Sequence, residues 1–325
     1  MRYACITNTD LKPSVICLGT HEFGSGVTRE DAFALMDAYL DAGGCFIDTA
    51  DQYADWQCDT PGMSELTIGK WMKSRSSRDK LVLATKGGSQ SHIWPFPRLS
   101  RDELEENLEL SLTRLGVDYV DLFYLHVDDP ARPVEEILET LEYFRQKGWL
   151  RWYASSNWTA PRLRAADAYA LKQGYTGFVA SQIHWSLADV DSENDPDIPH
   201  IVMKEDIYQY HLESGVTQCP YTPQASGFFS GNYIRNNPDS GKPGVYNSYN
   251  LERNWGRLER AQEMAQEMGC SANQIALAYL IAQPFPVFPI VGSWKMHQLL
   301  DSLGAGDLCL TPEQVRYLRD GDKKD

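Results

Sequence analysis

The chain has little positive charge for its length. Its 325 residues include 30 Lys and Arg against 45 Asp and Glu, which gives a formal net charge of −15 and a pI near 4.9. Nucleic acids and anionic membranes are bound by clustered basic side chains, so neither is expected as a partner. The acidic segment 101–115 is interpreted as the solvated outer face of a helix.

Paired cysteines and long apolar runs are also missing. The seven cysteines are scattered without a Cys-x-x-Cys pair, so the usual signatures of a zinc site or a disulfide framework are absent. Residues 1–10 hold no apolar stretch long enough for a signal peptide, and no run approaches the ~18 apolar residues that span a bilayer. The pattern predicts reduced thiols and a cytoplasmic location.

What the sequence does contain is a regular alternation of strand-length apolar runs and amphipathic helical segments. After a short N-terminal segment that fits a hairpin, strands are predicted at 14–18, 45–48, 81–85, 119–125, 149–154, 178–183, 216–220 and 286–291. Helices are predicted at 29–42, 64–73, 101–115, 133–147, 160–173, 201–214, 251–268 and 272–282.

This alternation indicates the fold class. No Gly-x-Gly-x-x-Gly follows the first strand, so a closed (β/α)8 TIM barrel is favoured over an open doubly wound sheet. No linker rich in Pro, Gly or Ser divides the chain, and residues 1–325 are predicted to form a single domain. The long connections 51–63, 87–100, 186–200 and 222–250 each follow a strand, which places them at the C-terminal mouth of the barrel.

Four ionisable residues, Asp48, Tyr53, Lys86 and His126, stand at or just past the ends of predicted strands. Parallel barrel strands end at one mouth, so these side chains are expected to form one site. A lysine ammonium favours the phenolate and is expected to lower the pKa of Tyr53, while Asp48 would hold Lys86 charged. His126 would offer a hydrogen bond or a proton to a substrate oxygen. The set suits protonation of a carbonyl oxygen during reduction.

Other chemistries remain open for these residues. Lys86 at a strand end also fits a Schiff-base lysine of a class I aldolase barrel. A metal held by His126, His184 and Asp48 is a weaker alternative, because such sites usually gather more His and carboxylate ligands, and no metal is expected. His21, just after the first strand, is either a contact to substrate or cofactor or a hydrogen-bonded structural residue.

Several segments of the chain, in order, closely resemble the aldo-keto reductase family. They are Leu18–Thr20, Asp48–Tyr53, Ser64–Glu65, Ala84–Gly88, Asp121–His126, Arg151–Asn157, Ser181–Gln182 and Pro220–Pro223. The resemblance implies a (β/α)8 barrel that binds NADP(H) in extended form. It also implies that Tyr53 is the general acid/base, that Lys86 lowers its pKa, and that Asp48 pairs with Lys86. His126 would orient the carbonyl group.

The resemblance further implies a set of cofactor contacts. Ser156, Asn157 and Gln182 match residues that hold the nicotinamide carboxamide, Tyr221 matches the aromatic residue that stacks on the nicotinamide, and backbone at 224–227 would meet the pyrophosphate. The expected cofactor-binding residues are Gly19, Thr20, Ser156, Asn157, Gln182, Tyr221, Gln224, Ser226, Gly227, Gly292, Ser293, Lys295, Gln298 and Ser302.

One stretch departs from the family pattern. Gly292 and Gln298 stand where many members carry Lys or Arg side chains that clamp the 2′-phosphate of NADP(H). A phosphate left with Ser293, Lys295 and His297 loses charge-assisted hydrogen bonds worth roughly 1.5–3 kcal/mol each. NADP(H) is therefore expected, with NAD(H) as an open alternative.

The predicted function is hydride transfer between the nicotinamide cofactor and a carbonyl or alcohol substrate such as an aldehyde, a ketone or a sugar. A cofactor-sensing regulatory barrel with little turnover remains an alternative. The substrate pocket is expected to be lined by aromatic residues, which could instead pack the long loops down. These pocket residues are Trp56, Trp94, Trp158, Trp185 and Phe228.

Overall fold

Eight parallel strands alternate with helices in the computed structural model, which describes residues 1–55, 60–89, 97–191 and 201–321. The strands are β1 (Cys17–Gly19), β2 (Phe46–Asp48), β3 (Val82–Gly87), β4 (Val120–Leu125), β5 (Leu150–Ser156), β6 (Ala180–Gln182), β7 (Thr217–Gln218) and β8 (Ile290–Gly292). All eight strands fall on or beside the runs predicted for them.

The strands form one closed sheet. Each strand from β1 to β6 pairs in parallel with the next, and β8 pairs with β1. Backbone hydrogen bonds also join β7 to the segment before β8, because Gln218 N donates to Pro286 O and Phe288 N donates to Gln218 O, both at 2.9 Å. The sheet therefore closes on itself, and the predicted (β/α)8 barrel is confirmed.

The helices cover the outside of this sheet. Those before β7 are α1 (Arg29–Asp41), α2 (Met63–Arg75), α3 (Arg101–Leu115), α4 (Val134–Gln146), α5 (Ala160–Gln173) and α6 (Glu205–Ser214). Those after β7 are α7 (Pro243–Tyr249), α8 (Glu252–Met268), α9 (Ala272–Ile281), α10 (Met296–Gly304) and α11 (Pro312–Asp320). No helix in the described ranges is long and apolar enough to cross a membrane.

Local signals explain where the well-predicted helices begin and end. Helix α3 starts at a capping box in which Ser100 and Glu103 satisfy each other's backbone groups, and it ends at Gly116, whose φ is +67°. Helix α11 was not predicted, although it carries the same signal: Thr311 caps Gln314, and Pro312 occupies the first helical position. Helix α7 was also missed, because its short polar sequence lies inside the long connection 222–250.

Apolar side chains pack on both faces of the sheet. The barrel interior holds small and aromatic side chains such as Phe46, Ala84, Tyr124 and Phe288. The N-terminal segment forms the expected hairpin, in which Ile6 N donates to Leu11 O at 3.0 Å, and both side chains join the interior cluster. A larger layer between strands and helices holds the sheet in shape. Functional side chains are left at the C-terminal end of the strands.

Candidate active site

The structure brings the four predicted catalytic residues together. Lys86, in β3, donates from Nζ to Asp48 Oδ2 at 2.5 Å, to Thr49 O at 2.8 Å and to the Tyr53 hydroxyl at 3.0 Å. The Tyr53 ring lies edge-to-face with the imidazole of His126, with centroids 5.7 Å apart. One ammonium is therefore shared between a carboxylate and a phenol, beside an imidazole.

Burial controls the charges in this group. Lys86 is fully buried and Asp48 is 2% exposed. Burial works against the Lys86 ammonium, but the Asp48 carboxylate and the Tyr53 oxygen outweigh it and raise the pKa of Lys86 above the ordinary lysine value. The lysine is therefore held protonated at neutral pH.

The expected net fall in the Tyr53 pKa is wrong. Desolvation by burial raises the pKa of the Tyr53 hydroxyl above its usual value, and the Lys86 ammonium offsets only part of that rise. The sequence shows the nearby Lys86 charge but not the low-dielectric surroundings, which disfavour the phenolate. Tyr53 is thus a protonated phenol at neutral pH. Lys86 keeps the pKa of Tyr53 lower than burial alone would make it.

The turn that carries Tyr53 is supported from three directions. Asp51 N donates to Lys86 O at 3.0 Å, Ser64 N donates to Tyr53 O at 3.3 Å, and Arg114 Nη1 donates to Asp51 O at 3.0 Å. Arg114 also contacts the fully buried Glu65, at 3.3 Å from Oε2. The supporting role of Arg114 was not predicted, because helix α3 is distant from the turn in sequence.

Two carboxyl groups at this turn, those of Asp51 and Glu65, have raised pKa values. Burial raises the pKa of Asp51 to about 7, with repulsion from Glu65 adding to the rise and Arg114 opposing it. Burial also raises the pKa of Glu65, against hydrogen bonds from Thr85 and Arg114. Arg114 is thus the cation that partly compensates the burial of the Asp51 and Glu65 carboxyl groups.

The residues expected at the nicotinamide lie next to the four predicted catalytic residues. Gln182 Nε2 donates to Asp48 Oδ1 at 3.1 Å, and Asn157 Nδ2 donates to His126 O at 3.1 Å. The Tyr221 hydroxyl donates to Asn157 Oδ1 at 2.5 Å. Ser156, at the end of β5, is in register with Gln182. All four expected residues line one cavity together with Asp48, Tyr53 and His126.

That cavity measures about 1540 Å³ and extends from Tyr53 to the start of α10. Its volume exceeds the usual 300–1,000 Å³ of a single small-molecule pocket, so two ligands have room side by side. Ten further expected cofactor residues were assigned by resemblance, and the cavity wall includes eight of them. These are Gly19, Thr20, Gln224, Ser226, Gly227, Gly292, Ser293 and Gln298.

The backbone at 224–227 has the form expected of an anion site. Ala225, Ser226 and Gly227 adopt left-handed φ values of 48°, 52° and 93° after Gln224, at φ −95°. Successive residues of right- and left-handed conformation form concavities of N–H groups that bind anions.

The far end of the cavity differs in part from expectation. Lys295 and Ser302 do not reach the wall: Lys295 is exposed, and Ser302 is buried behind Gln224, whose amide donates to its hydroxyl at 3.0 Å. Gln298 is engaged in capping α10, since its Oε1 accepts from Trp294 N and Lys295 N at 3.0 and 3.1 Å.

Three further polar residues line this end of the cavity. Ser293 Oγ is buried on the wall and has no hydrogen-bond partner within the described ranges. Asn273 and Asp301 line the cavity too and were not predicted. Asn273 accepts from Gln224 at 3.2 Å and donates to Asp301 Oδ2 at 2.8 Å.

The expected aromatic substrate pocket is wrong for three of its residues. Trp158 is fully buried against Phe178, Trp185 packs against Phe285, and Phe228 packs against Trp255. Large aromatic faces gain most from burial, so these rings fill the layers behind the loops instead of the cavity wall. Trp56 and Trp94 lie outside the described residues.

The described cavity wall instead mixes polar and apolar side chains. Its described residues include His21, Glu22, Phe23, Gln52, Ser89 and Phe229. His184 also lines the cavity, where its Nε2 lies 3.2 Å from the Tyr249 hydroxyl. No cluster of three or more metal-ligating side chains occurs in the part of the chain that the structure describes.

Comparisons with known proteins agree with this architecture. Residues 15–323 match the model of the "Aldo/keto reductase family". The "Uncharacterized oxidoreductase YrpG" of Bacillus subtilis is 31% identical over 326 residues, covering 98% of this chain and 95% of that protein. An NADP(+) aryl-alcohol dehydrogenase of Phanerodontia chrysosporium is 31% identical over 324 residues, covering 92% and 78% of the two chains.

A solved structure is similar over almost its full length. A thermostable aldo-keto reductase, Tm1743, crystallised with the inhibitor epalrestat, superposes with a TM-score of 0.73 and 25% identity. The match covers 98% of this chain and 99% of the other.

Proposed function

Since the chain belongs to the aldo/keto reductase family, we propose that it interconverts a carbonyl compound and its alcohol with a nicotinamide cofactor, using Tyr53 as the general acid/base. The observation that carries the proposal is the contact of Lys86 Nζ with both Asp48 Oδ2, at 2.5 Å, and the Tyr53 hydroxyl, at 3.0 Å. The whole chain would act as one catalytic domain.

The cavity fits an extended dinucleotide. Ser156, Asn157 and Gln182 would hold the carboxamide, and Tyr221 would lie against the nicotinamide ring. Backbone N–H groups at 224–227 suit a pyrophosphate, and the buried Ser293 hydroxyl offers a hydrogen bond to a polar ligand. When bound, the reduced cofactor supplies the hydride.

The residues of this chain would then manage the proton. Tyr53, protonated at neutral pH, donates to the oxygen of the carbonyl group as negative charge develops on it. Lys86 lies 3.0 Å from the same hydroxyl and stabilises the phenolate that remains. Asp48 keeps Lys86 charged and in place, and His126 contributes a polar group beside Tyr53. Alcohol oxidation would use the same groups in reverse.

The raised pKa of Lys86 supports this chemistry over a Schiff-base aldolase. An amine must be neutral to attack a carbonyl carbon, whereas Lys86 is held as an ammonium by Asp48 and Tyr53. Borohydride in the presence of a carbonyl substrate is expected to leave Lys86 unmodified. A reduced covalent adduct at this lysine would favour the aldolase instead.

For the cofactor we propose NADP(H), with NAD(H) as the alternative. A relative named as an NADP(+) enzyme supports the first. The second is supported by the far end of the cavity, where Gly292 and Gln298 replace the usual cations and the Asp301 carboxylate lines the wall. Lys242 and His297 are basic groups on this part of the wall.

Fluorescence titration with NADPH and NADH, followed by turnover of a panel of aldehydes, ketones and sugars, tests the proposal. Tyr53→Phe is expected to bind the cofactor normally and to lose activity by roughly 10²–10⁴-fold. The exposed Tyr119, changed to Phe, is the control for loss of a phenol elsewhere. Full activity of Tyr53→Phe would exclude Tyr53 as the acid/base, and cofactor binding without any turnover in the wild type would favour a regulatory barrel.

A further inference from the structure

The loop after β4 begins at His126 and forms part of the cavity wall. Val127, Asp128 and Pro130 in this loop line the cavity. The loop is neither strand nor helix before α4 begins, so its shape depends on the side chains that bond to it. Whatever holds the loop therefore also holds the imidazole that adjoins Tyr53.

One arginine of α5 bonds to this loop at three positions. Arg162 Nε and Nη2 donate to Asp128 Oδ2 and Oδ1, both at 2.9 Å. Nη2 also donates to Asp129 O at 3.2 Å and to Arg132 O at 3.1 Å. A guanidinium presents its N–H donors in a rigid plane, which suits a carboxylate and several carbonyl oxygens at once. A single side chain thus fixes much of the loop.

Two residues just before α5 complete the attachment. Trp158 Nε1 donates to Val127 O at 3.4 Å, and the Arg162 guanidinium lies 4.9 Å from the centre of the same indole. Asn157 Nδ2 donates to His126 O at 3.1 Å. The loop is therefore attached along its length to the beginning of α5.

The location of Arg162 does not favour its own helix. Helix α5 begins at Ala160, so Arg162 lies in the first turn, where the positive end of the helix dipole opposes a cation. The Asp128 carboxylate compensates this repulsion, and the two side chains are only 20% and 8% exposed. Asp128 lines the described cavity wall, whereas Arg162 lies behind it. Arg162 can therefore act on the reaction only through the loop.

From these contacts we infer that Arg162 is a positioning residue for carbonyl reduction. By clamping Asp128 and the loop carbonyls, it holds the imidazole of His126 where a substrate carbonyl group can bond to it. This inference rests on the proposed reductase function and adds a residue to that same site. The geometric requirement is strict, because misplacement of a reacting group by about 1 Å can cost roughly a hundredfold in rate.

The clamp variant, Arg162→Met with Asp128→Asn, tests the inference without leaving a charge unpaired. The assay is reduction of benzaldehyde with NADPH or NADH, whichever binds more tightly by fluorescence titration. The kcat/KM should fall roughly tenfold while cofactor affinity stays constant, because only the carbonyl-facing side of the site is disturbed. Arg162→Lys, which keeps the charge but not the planar fork, should show a smaller loss.

A double-mutant cycle with His126→Gln separates positioning from general damage. If Arg162 acts through His126, the clamp substitutions should cost less than about twofold in a protein that already lacks the imidazole. Equal losses in both backgrounds would assign Arg162 a structural role and overturn the inference. Full activity of the clamp variant or of His126→Gln would overturn it as well. Arg162→Lys takes the place of the clamp variant in the cycle if the latter does not fold.

Arg164→Met is the matched control on the same helix. Arg164 donates to Glu213 at 2.7 Å, but both side chains are about half exposed, so kcat/KM should stay at the wild-type value. A loss equal to that of the clamp variant would contradict a specific role for Arg162. In each of these cases Tyr53-dependent turnover would leave the proposed reductase function standing. Absence of carbonyl turnover with either cofactor would instead overturn that function, and this inference with it.

Discussion

Arg114 Nη1 donates to the carbonyl oxygen of Asp51 at 3.0 Å, across 63 positions of the chain. The bond joins helix α3 to the turn that presents Tyr53. The same guanidinium lies 3.3 Å from Glu65 Oε2, so one side chain both compensates a buried carboxylate and supports the catalytic turn. Stability and activity are therefore expected to depend on the same residue.

Arg114→Met is expected to destabilise the fold by about 3–5 kcal/mol, because it leaves Glu65 buried without a cation. Urea unfolding measures the change. The double variant Arg114→Met with Glu65→Gln should recover most of the stability, since no charge is then left unpaired. Arg29→Met is the control: its pair with Glu30 is exposed, and the expected change is under about 0.5 kcal/mol. Similar effects of Arg114→Met and Arg29→Met would contradict the assignment.

Asp51 is expected to make stability depend on pH. Its pKa is about 7 in the folded protein, well above the ordinary aspartate value, so between about pH 4 and pH 7 the folded state holds a proton that the unfolded state has lost. The free energy of unfolding should therefore fall as pH rises through this window.

Asp51→Asn removes this titration. Relative to the wild type, the variant should gain about 1–3 kcal/mol between pH 4.5 and pH 8, as measured by urea unfolding at each pH. Asp41→Asn, at an exposed position, is the control and should follow the wild-type profile. Parallel curves for wild type and Asp51→Asn would show that Asp51 does not titrate in this range.

Lys86→Met combined with Asp48→Asn tests the electrostatics of Tyr53 without leaving a buried unpaired carboxylate. Removing the ammonium should raise the pKa of Tyr53 further, because desolvation and the nearby Asp51 then act on it without an opposing cation. Alcohol oxidation needs the phenolate, so the rise of its kcat/KM with pH should move to more alkaline values, and its rate at pH 8 should fall by roughly tenfold or more.

Carbonyl reduction should fall as well, because Lys86 also stabilises the phenolate that forms when Tyr53 donates its proton. Lys80→Met, at an exposed position, controls for loss of a surface lysine. An unchanged pH profile in the double variant would mean that Lys86 does not set the Tyr53 pKa.

Trp294 is expected to slow cofactor release. Its half-exposed ring lies 5.8 Å from Lys242 Nζ and so close to Gly26 that a Cβ there would be 2.9 Å from the indole. The indole thus connects the loops after β1, β7 and β8 over the proposed cofactor groove.

Trp294→Ala should increase the cofactor dissociation rate roughly fivefold, through loss of about 1 kcal/mol of cation–π and packing contacts. Stopped-flow fluorescence with a displacing ligand measures it. Leu300→Ala removes an exposed apolar side chain of the same segment and should leave the rate unchanged. Equal rates for wild type and Trp294→Ala would exclude a retaining role for this ring.

Prediction from the sequence succeeded where the signals are local. Helix α3 was predicted with its observed bounds, since Ser100, Glu103 and Gly116 mark its ends within the segment itself. Strand β7 was predicted at 216–220 and is observed only at Thr217–Gln218, because pairing with neighbouring strands decides how far a strand extends. Asp48, Tyr53, Lys86 and His126 could be placed in one site because strand ends in a parallel barrel share one mouth.

Prediction failed where a side chain's surroundings come from distant parts of the chain. Phe228 was expected in the pocket, yet it is buried while the adjacent Phe229 lines the cavity. A loop has no regular period from which to infer the direction of either ring. Arg114 was missed for a related reason, since nothing near it in sequence points to Asp51.

The sequence by itself determined the alternation of strands and helices, the closed barrel, and which ionisable residues meet at its mouth, because periodicity, capping and strand ends are encoded locally. Only the tertiary structure decided that burial outweighs Lys86 and raises the Tyr53 pKa, that His21 stands beside Tyr53, and that Trp158 and Trp185 are buried away from the cavity wall. Desolvation and cavity shape depend on segments far apart in the chain, and their balance exists only once those segments are packed together.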